Sequence, residues 1–289
     1  MTNSIAIEQN ALFAAFAPVS QTRLSHMAEL VLLERDTILH EPMHALSHVY
    51  FPIDAIVAMI YVVESGALSE VSVIGKEGLV GALPLLTGES LSCQALVMSA
   101  GYAFRMPKES LLAEYDEYHM LKLLMRYVQT LMLQASLTAV CNRHHSIEQQ
   151  LCRFLLMCLD RLPCNHLTMT QELIASMLGV RREGVTEAAG KLQHLGVIHY
   201  CRGHITVLER DQLEQRCCEC YQVVKRETDR LLSPMGARHL SGPDTHAPAS
   251  VAKCSSCFKA TVCNYHKRSQ RQSPRVRVQQ QAALEFAGV

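Results

Sequence analysis

Residues Thr168 to Val197 read TMTQELIASMLGVRREGVTEAAGKLQHLGV, and this stretch decides the fold. Thr170 has the side chain of a helix N-cap, able to accept a bond from the free amides of a first turn that begins Gln171-Glu172; Glu172 suits the positive helix end. Leu173, Ile174, Met177 and Leu178 then form an apolar stripe at three-and-four spacing, and Gly179 falls where a helix end needs a positive φ. Beyond Val180, the residues Val185, Ala188, Ala189 and Leu192 make a second stripe with a period of about 3.6 residues, and the opposite face is charged and polar. Two short helices around a glycine-bearing turn, the second presenting Arg181 and Arg182 at its start, is the helix-turn-helix arrangement that lays a recognition helix in the DNA major groove.

Two ordinary amphipathic helices packed on each other would show the same stripes, so the residues that follow matter. His199-Tyr200-Cys201-Arg202-Gly203-His204 and the alternating Ile205-Thr206-Val207-Leu208 read as a hairpin with glycine near its tip and a basic residue beside it, which is a wing. With helix, turn, helix and wing in place, residues from about Val19 to Leu232 resemble the family of bacterial transcription factors that includes the cAMP receptor protein and the fumarate and nitrate reduction regulator.

The resemblance implies an α+β chain: an antiparallel β-roll of the cyclic-nucleotide-binding type over 19–116, a dimerisation helix over 117–144, and a winged helix-turn-helix over 145–233. Residues 234–289 fall outside it. That family contacts base edges from the first two turns of the second helix, and the matching positions here are Arg182, Glu183, Thr186 and Glu187. Arg181 and Lys191 are placed for phosphates, and Thr170, Gln171, Arg202 and His204 complete the expected DNA-binding set. Glu187 stands where the cAMP receptor protein has an arginine, and Arg181 where a Ser cap is usual.

Composition agrees. A chain of 289 residues, 49% apolar and 19% charged, is long enough for two domains with separate cores. The zero net charge hides an asymmetry: 5 Lys/Arg against 13 Asp/Glu up to Asp116, then 22 against 14 after it. The acidic half repels nucleic acid and the basic half attracts it. With no apolar run of about 18 residues and no basic, apolar leader at Met1 to Ala17, neither a membrane span nor a secretory signal is expected, and the expected place is the cytoplasm. Cys93, Cys141, Cys152 and Cys158 sit inside apolar patterns and read as reduced core residues.

Ile5 to Phe16 reads as a short amphipathic helix. Short strands follow from Val31, broken at Glu41-Pro42, Phe51-Pro52, Ser65-Gly66 and Gly75, with Ile56–Val63, Leu68–Ile74 and Gln94–Ser99 among them. In the cyclic-nucleotide members a Gly-Glu pair holds the ribose and an arginine shortly downstream pairs with the phosphate, which would place an effector pocket at Gly75, Glu77, Gly78, Gly81 and Cys93. The arginine is missing: no Lys or Arg occurs between Lys76 and Arg105. A buried cyclic phosphate without a fixed cation would cost several kcal/mol. The turn is therefore expected to be structural, and cAMP is not the expected ligand.

From Lys108 to about Asn142 the pattern is helical. Leu121, Leu124, Val128, Leu131, Ala135 and Thr138 form a seam like that of a two-stranded coiled coil, the expected homodimer interface; other apolar residues would let the helix cover its own roll as well. His144 and His145, adjacent in sequence and so about 100° apart on a helix, read as polar junction residues. Ser146-Ile147-Glu148-Gln149 has capping-box spacing and starts a helix over Leu151 to Leu162. Asp211 to Leu232 reads as one further helix in which Cys217 and Cys220 stand one turn apart, a candidate redox or metal pair.

Ser233 to Ala252 is a linker by its Pro and Gly content, and Thr245 to Leu284 holds seven Lys/Arg and no Asp or Glu, a composition of disorder. Within it Cys254-x2-Cys257-x5-Cys263-x2-His266 has the ligand count and pair spacing of a zinc site, although incidental thiols on a basic tail give the same pattern. The expected function is a homodimeric, sequence-specific transcription regulator whose partners are an inverted-repeat duplex operator, a second copy of itself and, if it activates, RNA polymerase, with no membrane partner. The alternative is a metal- or redox-responsive switch through Cys217, Cys220 and the tail cysteines, with DNA binding as output. No nucleophile elbow, phosphate-binding loop or paired carboxylates argue for an enzyme.

Overall fold

Asn10 divides the segment expected to be one helix from Ile5 to Phe16. In the structure, a computed structural model that describes residues 5–114 and 118–232, a 3-10 turn at Ile7–Gln9 ends at Asn10 and α1 (Ala11–Ala14) starts after it. The fully buried Asn10 side chain accepts the Phe13 amide at 3.0 Å and donates to the carbonyls of Pro52 and Gly78, each at 2.9 Å. A buried amide must be satisfied in this way, and as an N-cap it restarts the helix instead of continuing it. α2 (Pro18–Ser25) follows, with its proline in the first turn, where no amide is lost.

The roll is built from β1 (Glu29–Leu33), β2 (Ile38–His40), β3 (His48–Pro52), β4 (Ile56–Val62), β5 (Leu68–Ile74), the helix α3 (Ala82–Thr87), β6 (Gln94–Ser99) and β7 (Gly101–Pro107). Two antiparallel sheets result, in the orders β1-β7-β3 and β2-β6-β4-β5. The apolar run in β4 has a reason: Val57 and Met59 face the roll interior, whereas Ile56, Ala58 and Ile60 face a helix on the other side. A strand covered on both faces loses the polar alternation of a half-exposed one.

The helix expected from Lys108 is two helices, α4 (Lys108–Leu112) and α5 (Tyr118–His144). Glu114 closes the end of α4 by a backbone bond to Leu111, and its carboxylate meets Arg23 of α2 at 2.5 Å. Along α5 the expected seam turns partly inward. Leu124, Val128 and Thr138 are buried, Leu124 completely, while Met125 and Met132 are 56% and 65% exposed. A helix apolar on more than one face carries two candidate stripes offset by one residue, and periodicity cannot rank them.

α6 (Ile147–Leu159) starts with the expected capping box at Ser146 and Gln149. Every residue from Gln150 to Leu159 is buried. This helix lies between β4 of the roll and the helices that follow: one apolar cluster runs from Ile56 through Leu155 to Leu192, a second gathers Phe13, Phe51 and Leu124, and a third fills the roll around Val57 and Val97. The C-terminal part comprises β8 (His166–Thr168), α7 (Gln171–Leu178), α8 (Arg182–His194), β9 (Ile198–Cys201), β10 (His204–Val207), α9 (Arg210–Arg216) and α10 (Glu219–Leu232). β8 was not expected; it is three residues long and completes an antiparallel sheet of order β8-β10-β9. The single helix expected from Asp211 to Leu232 is α9 and α10, because Cys217 has an extended backbone with ψ at 157°. The fold is α+β throughout.

Candidate nucleic-acid interface

The two helices of the quoted stretch form as their caps dictate. Thr170 accepts the Leu173 amide at 3.1 Å, and Gly179 ends α7 at φ 64°. Their stripes meet: Ile174, Met177 and Leu178 of α7 and Val185, Ala188, Ala189 and Leu192 of α8 share the core beneath them. Gly184 allows α8 to pass close to α6, since a Cβ there would stand 2.6 Å from the Ile147 side chain. Arg181 occupies the N-cap of α8 without a side-chain capping bond; the Gly184 amide bonds to the Arg181 carbonyl at 3.0 Å, which leaves the Arg182 and Glu183 amides without a side-chain cap. The wing turns at Arg202 and Gly203, whose φ angles of 48° and 84° are those of a two-residue hairpin turn matched to strand twist.

The opposite face of α8 is exposed at Arg181, Arg182, Glu183, Thr186, Glu187 and Lys191. The Arg182 side chain is 63% exposed and its ion pair with Glu172 is long, at 4.0 Å. Thr186 donates to Gln171 at 2.8 Å, which ties the start of α7 to the second turn of α8. Glu187 and Lys191 pair at 2.8 Å on the surface; the hydrogen bond lowers the Glu187 carboxyl and raises the Lys191 ammonium. Thr170, Gln171 and Arg182 face Tyr200, Arg202 and Gly203 of the wing across a recess of about 320 Å³. His204 places Nδ1 3.3 Å from the Thr168 hydroxyl of β8. Every residue expected to touch DNA therefore lies on α7, α8 or the wing, and the recess joins four of them.

The glycine turn of the roll is arranged differently. The Glu77 carboxylate meets Arg161, which follows α6, at 2.7 Å, and also accepts the Gly75 amide at 3.2 Å. Arg161 is buried; it donates to the Met157 and Val73 carbonyls at 2.5 and 3.1 Å. A Cβ on Gly75 would lie 2.6 Å from the Arg161 side chain, and one on Gly78 would lie 2.2 Å from the Tyr127 hydroxyl. These two glycines admit side chains of the same protein. Burial and the nearby Glu77 charge hold the Tyr127 phenol protonated. Gly81 and Cys93 line a separate cavity of about 160 Å³ whose walls are Met59, Leu79, Leu131 and other apolar groups, with Ser72 among them and no Lys or Arg. Burial raises the Cys93 thiol there.

The cysteines also depart from expectation. Cys217 and Cys220 are not one turn apart on a helix, because the chain breaks between them. The residues brought together are Cys141, His145, Cys218 and Cys220, with Cys141 Sγ 3.6 Å from Cys218 Sγ. Hydrogen bonds from the Cys141 and Cys217 thiols lower the Cys218 thiol strongly, while burial raises Cys220 to about 11. Cys141 is a buried free thiol and His145 meets Glu219 at 3.4 Å, as a core and a junction residue would; their spacing of four in sequence sets both on one face beside Cys218 and Cys220. Cys254, Cys257, Cys263 and His266 lie outside the described residues. Among the described residues no helix is long and apolar enough to cross a membrane.

Comparison with known proteins adds to this geometry. The family model of the Crp-like helix-turn-helix domain matches residues 149–216. Among solved structures the fold is shared with FixK2 from Bradyrhizobium japonicum, at 17% identity and a TM-score of 0.57 over 66% of this chain and 98% of that one. It is shared also with CLP, the c-di-GMP responsive global regulator of Xanthomonas campestris, at 15% identity and 0.53 over 66% and 99%. A CRP-family transcriptional regulator from Thermus thermophilus aligns at 16% and 0.54 over 64% and 95%. No curated protein matches the sequence.

Proposed function

We propose that the chain, which matches the Crp-like helix-turn-helix model over residues 149–216 and shares its fold with Crp/Fnr transcription regulators, is a member of that family: a homodimeric, sequence-specific DNA-binding regulator and not an enzyme. The observation that carries this reading is the exposed charged face of α8 beside the wing recess. Arg182 can form a bidentate pair with the O6 and N7 of guanine, and Glu183 can accept from a cytosine amino group; these two set specificity. Arg181, Lys191 and Arg202 meet phosphates, helped by the uncapped amides at the start of α8. Thr170, Gln171 and His204 border the same surface, and Thr186 is held by Gln171 so that it buttresses the reading face. Glu187 tempers the charge of Lys191, with which it pairs.

The division into a roll over 19–116, a dimerisation helix over 117–144 and a DNA-reading part over 145–233 fits this role, as does a place in the cytoplasm. The dimer forms along the outward stripe of α5 that contains Met125 and Met132. The roll does not use Gly75, Glu77 and Gly78 for a cyclic nucleotide: Arg161 and Tyr127 occupy that turn, and the cavity beside Gly81 and Cys93 offers no cation to a phosphate and is smaller than the roughly 300 Å³ at which ligand pockets begin. If the regulator activates, RNA polymerase is its partner.

Selection from random duplex DNA tests the reading. An inverted repeat should emerge, with half-site centres about one helical turn apart, as a two-fold dimer requires. Recovery of no enriched motif from the full chain would overturn it.

A further inference from the structure

The cysteine cluster lies where the end of α5 meets the start of α10, and DNA reading leaves it unused. The His145 amide bonds to the Cys141 carbonyl at 3.0 Å, so His145 extends the last turn of α5 and its ring stands over Cys141 on one face. From the other side, the extended backbone at Cys217 brings Cys218 and Cys220 to the same point. The three Sγ atoms and a ring nitrogen of His145 lie within 4.8 Å of one another. Cys220 Sγ stands 3.7 Å from His145 Nδ1, and Cys141 Sγ 3.6 Å from Cys218 Sγ. A tetrahedral ion bound at about 2.3 Å to sulfur and about 2.0 Å to nitrogen holds neighbouring ligand atoms roughly 3.5 to 3.8 Å apart. Both measured edges have that length, whereas a disulfide needs about 2.05 Å.

We propose that Cys141, His145, Cys218 and Cys220 hold one zinc ion, bound through the three thiolates and the His145 Nδ1. Two further observations fit this assignment. Binding through Nδ1 leaves the proton on Nε2, and Nε2 lies 3.4 Å from the Glu219 carboxylate, the kind of partner that fixes the ring and tautomer of a metal-bound histidine. Three thiolates around a divalent ion carry one net negative charge, and a buried cation is at hand. Arg153 is 2% exposed, donates to Thr138 at 2.6 Å, leaves Nε without a partner, and has no carboxylate at ion-pair distance among the described residues. Its field acts on both Cys141 and Cys220. The buried Glu70 carboxyl also feels the Arg153 charge, but burial raises that carboxyl toward its neutral form, and the occupied site would add a negative charge on the cysteine side. The donor set, soft sulfur with one imidazole and four ligands in all, suits a closed structural zinc site and not magnesium or calcium.

Such an ion would fasten α10 to the junction of α5 and α6. Metal analysis of the full-length chain, purified under reducing conditions and supplied with zinc, tests this, with cobalt substitution as the spectroscopic readout. Wild type should hold one zinc at this site. The double variant Cys254→Ser/Cys257→Ser, which removes two tail thiols, should keep it, as should Cys217→Ser. Cys218→Ser and Cys141→Ser should each lose it while circular dichroism shows a folded protein, and His145→Cys, which retains four ligands, should restore binding where His145→Ala loses it. Cobalt-loaded protein should show thiolate charge-transfer absorption that persists in the tail variant. Zinc retained by Cys218→Ser and lost from the tail variant would assign the metal to the tail and overturn the proposal, as would a wild-type chain that takes up no zinc. Operator selection is read separately, so failure here leaves the DNA-binding reading standing.

Discussion

The α8 face and the glycine turn of the roll both bear residues that the family resemblance marks as functional, yet their polar groups go to opposite places. On α8, Arg181, Arg182, Glu183 and Lys191 are exposed, and the one ion pair within reach of Arg182 is stretched to 4.0 Å. At the turn, Glu77 is paired at 2.7 Å with an arginine from the other half of the chain, and the space over Gly75 and Gly78 is filled by Arg161 and Tyr127. A motif is available to an outside partner only when its hydrogen-bonding groups are not already spent inside the protein. Charge placement, more than the presence of the motif, separates a surface that can read a ligand from a turn that holds two parts of a chain together.

The largest expected effect breaks the internal side of this contrast. Arg161→Ala leaves the Glu77 carboxylate without its partner and should destabilise the fold by about 3 to 5 kcal/mol, measured by urea unfolding. Replacing both, as Arg161→Met with Glu77→Leu, should recover much of the loss, because an apolar pair of similar volume avoids the uncompensated charge. If Arg161→Ala unfolds at the wild-type midpoint, the turn is not held by this pair and the contrast fails.

The next effect concerns which stripe of α5 faces outward. Met125→Glu with Met132→Glu puts like charges across a two-fold interface and should give a folded monomer by light scattering. Leu124→Glu cannot serve this purpose, since Leu124 has no exposed surface and a charge there would damage the roll itself. A Met125→Glu/Met132→Glu variant that remains a dimer would place the interface elsewhere.

The helix-turn-helix and wing were legible in sequence because their signals are local: Thr170 as a cap, Gly179 at positive φ, stripes of one period, and a glycine at the wing tip. β4, β5 and β6 of the roll were legible for the same reason, whereas β7 was not read and the stretch from Val31 to Leu39 is divided between β1 and β2. What escaped depended on contacts distant in sequence. Asn10 breaks the N-terminal helix because Pro52 and Gly78 offer it carbonyls. β8 is three residues long and exists because β10 pairs with it. The apolar cluster that β4 shares with the helix-turn-helix follows from α6 being buried from Gln150 to Leu159, which an apolar run suggests but cannot assign to a partner. The zinc-like quartet joins residues 141 and 145 to residues 218 and 220, and only folding brings these pairs together.

The central claim is that α8 reads bases through Arg182 while Lys191 touches only backbone. Binding of wild type, Arg182→Ala and Lys191→Ala to the selected operator and to single-base variants of it, over a range of salt, tests this most directly. Arg182→Ala should lose ~1 to 3 kcal/mol on the operator and flatten the preference at one position in each half-site. Lys191→Ala should weaken every sequence about equally and lower the salt slope by roughly one. An Arg182→Ala protein that selects the same motif with the same discrimination as wild type would contradict the account.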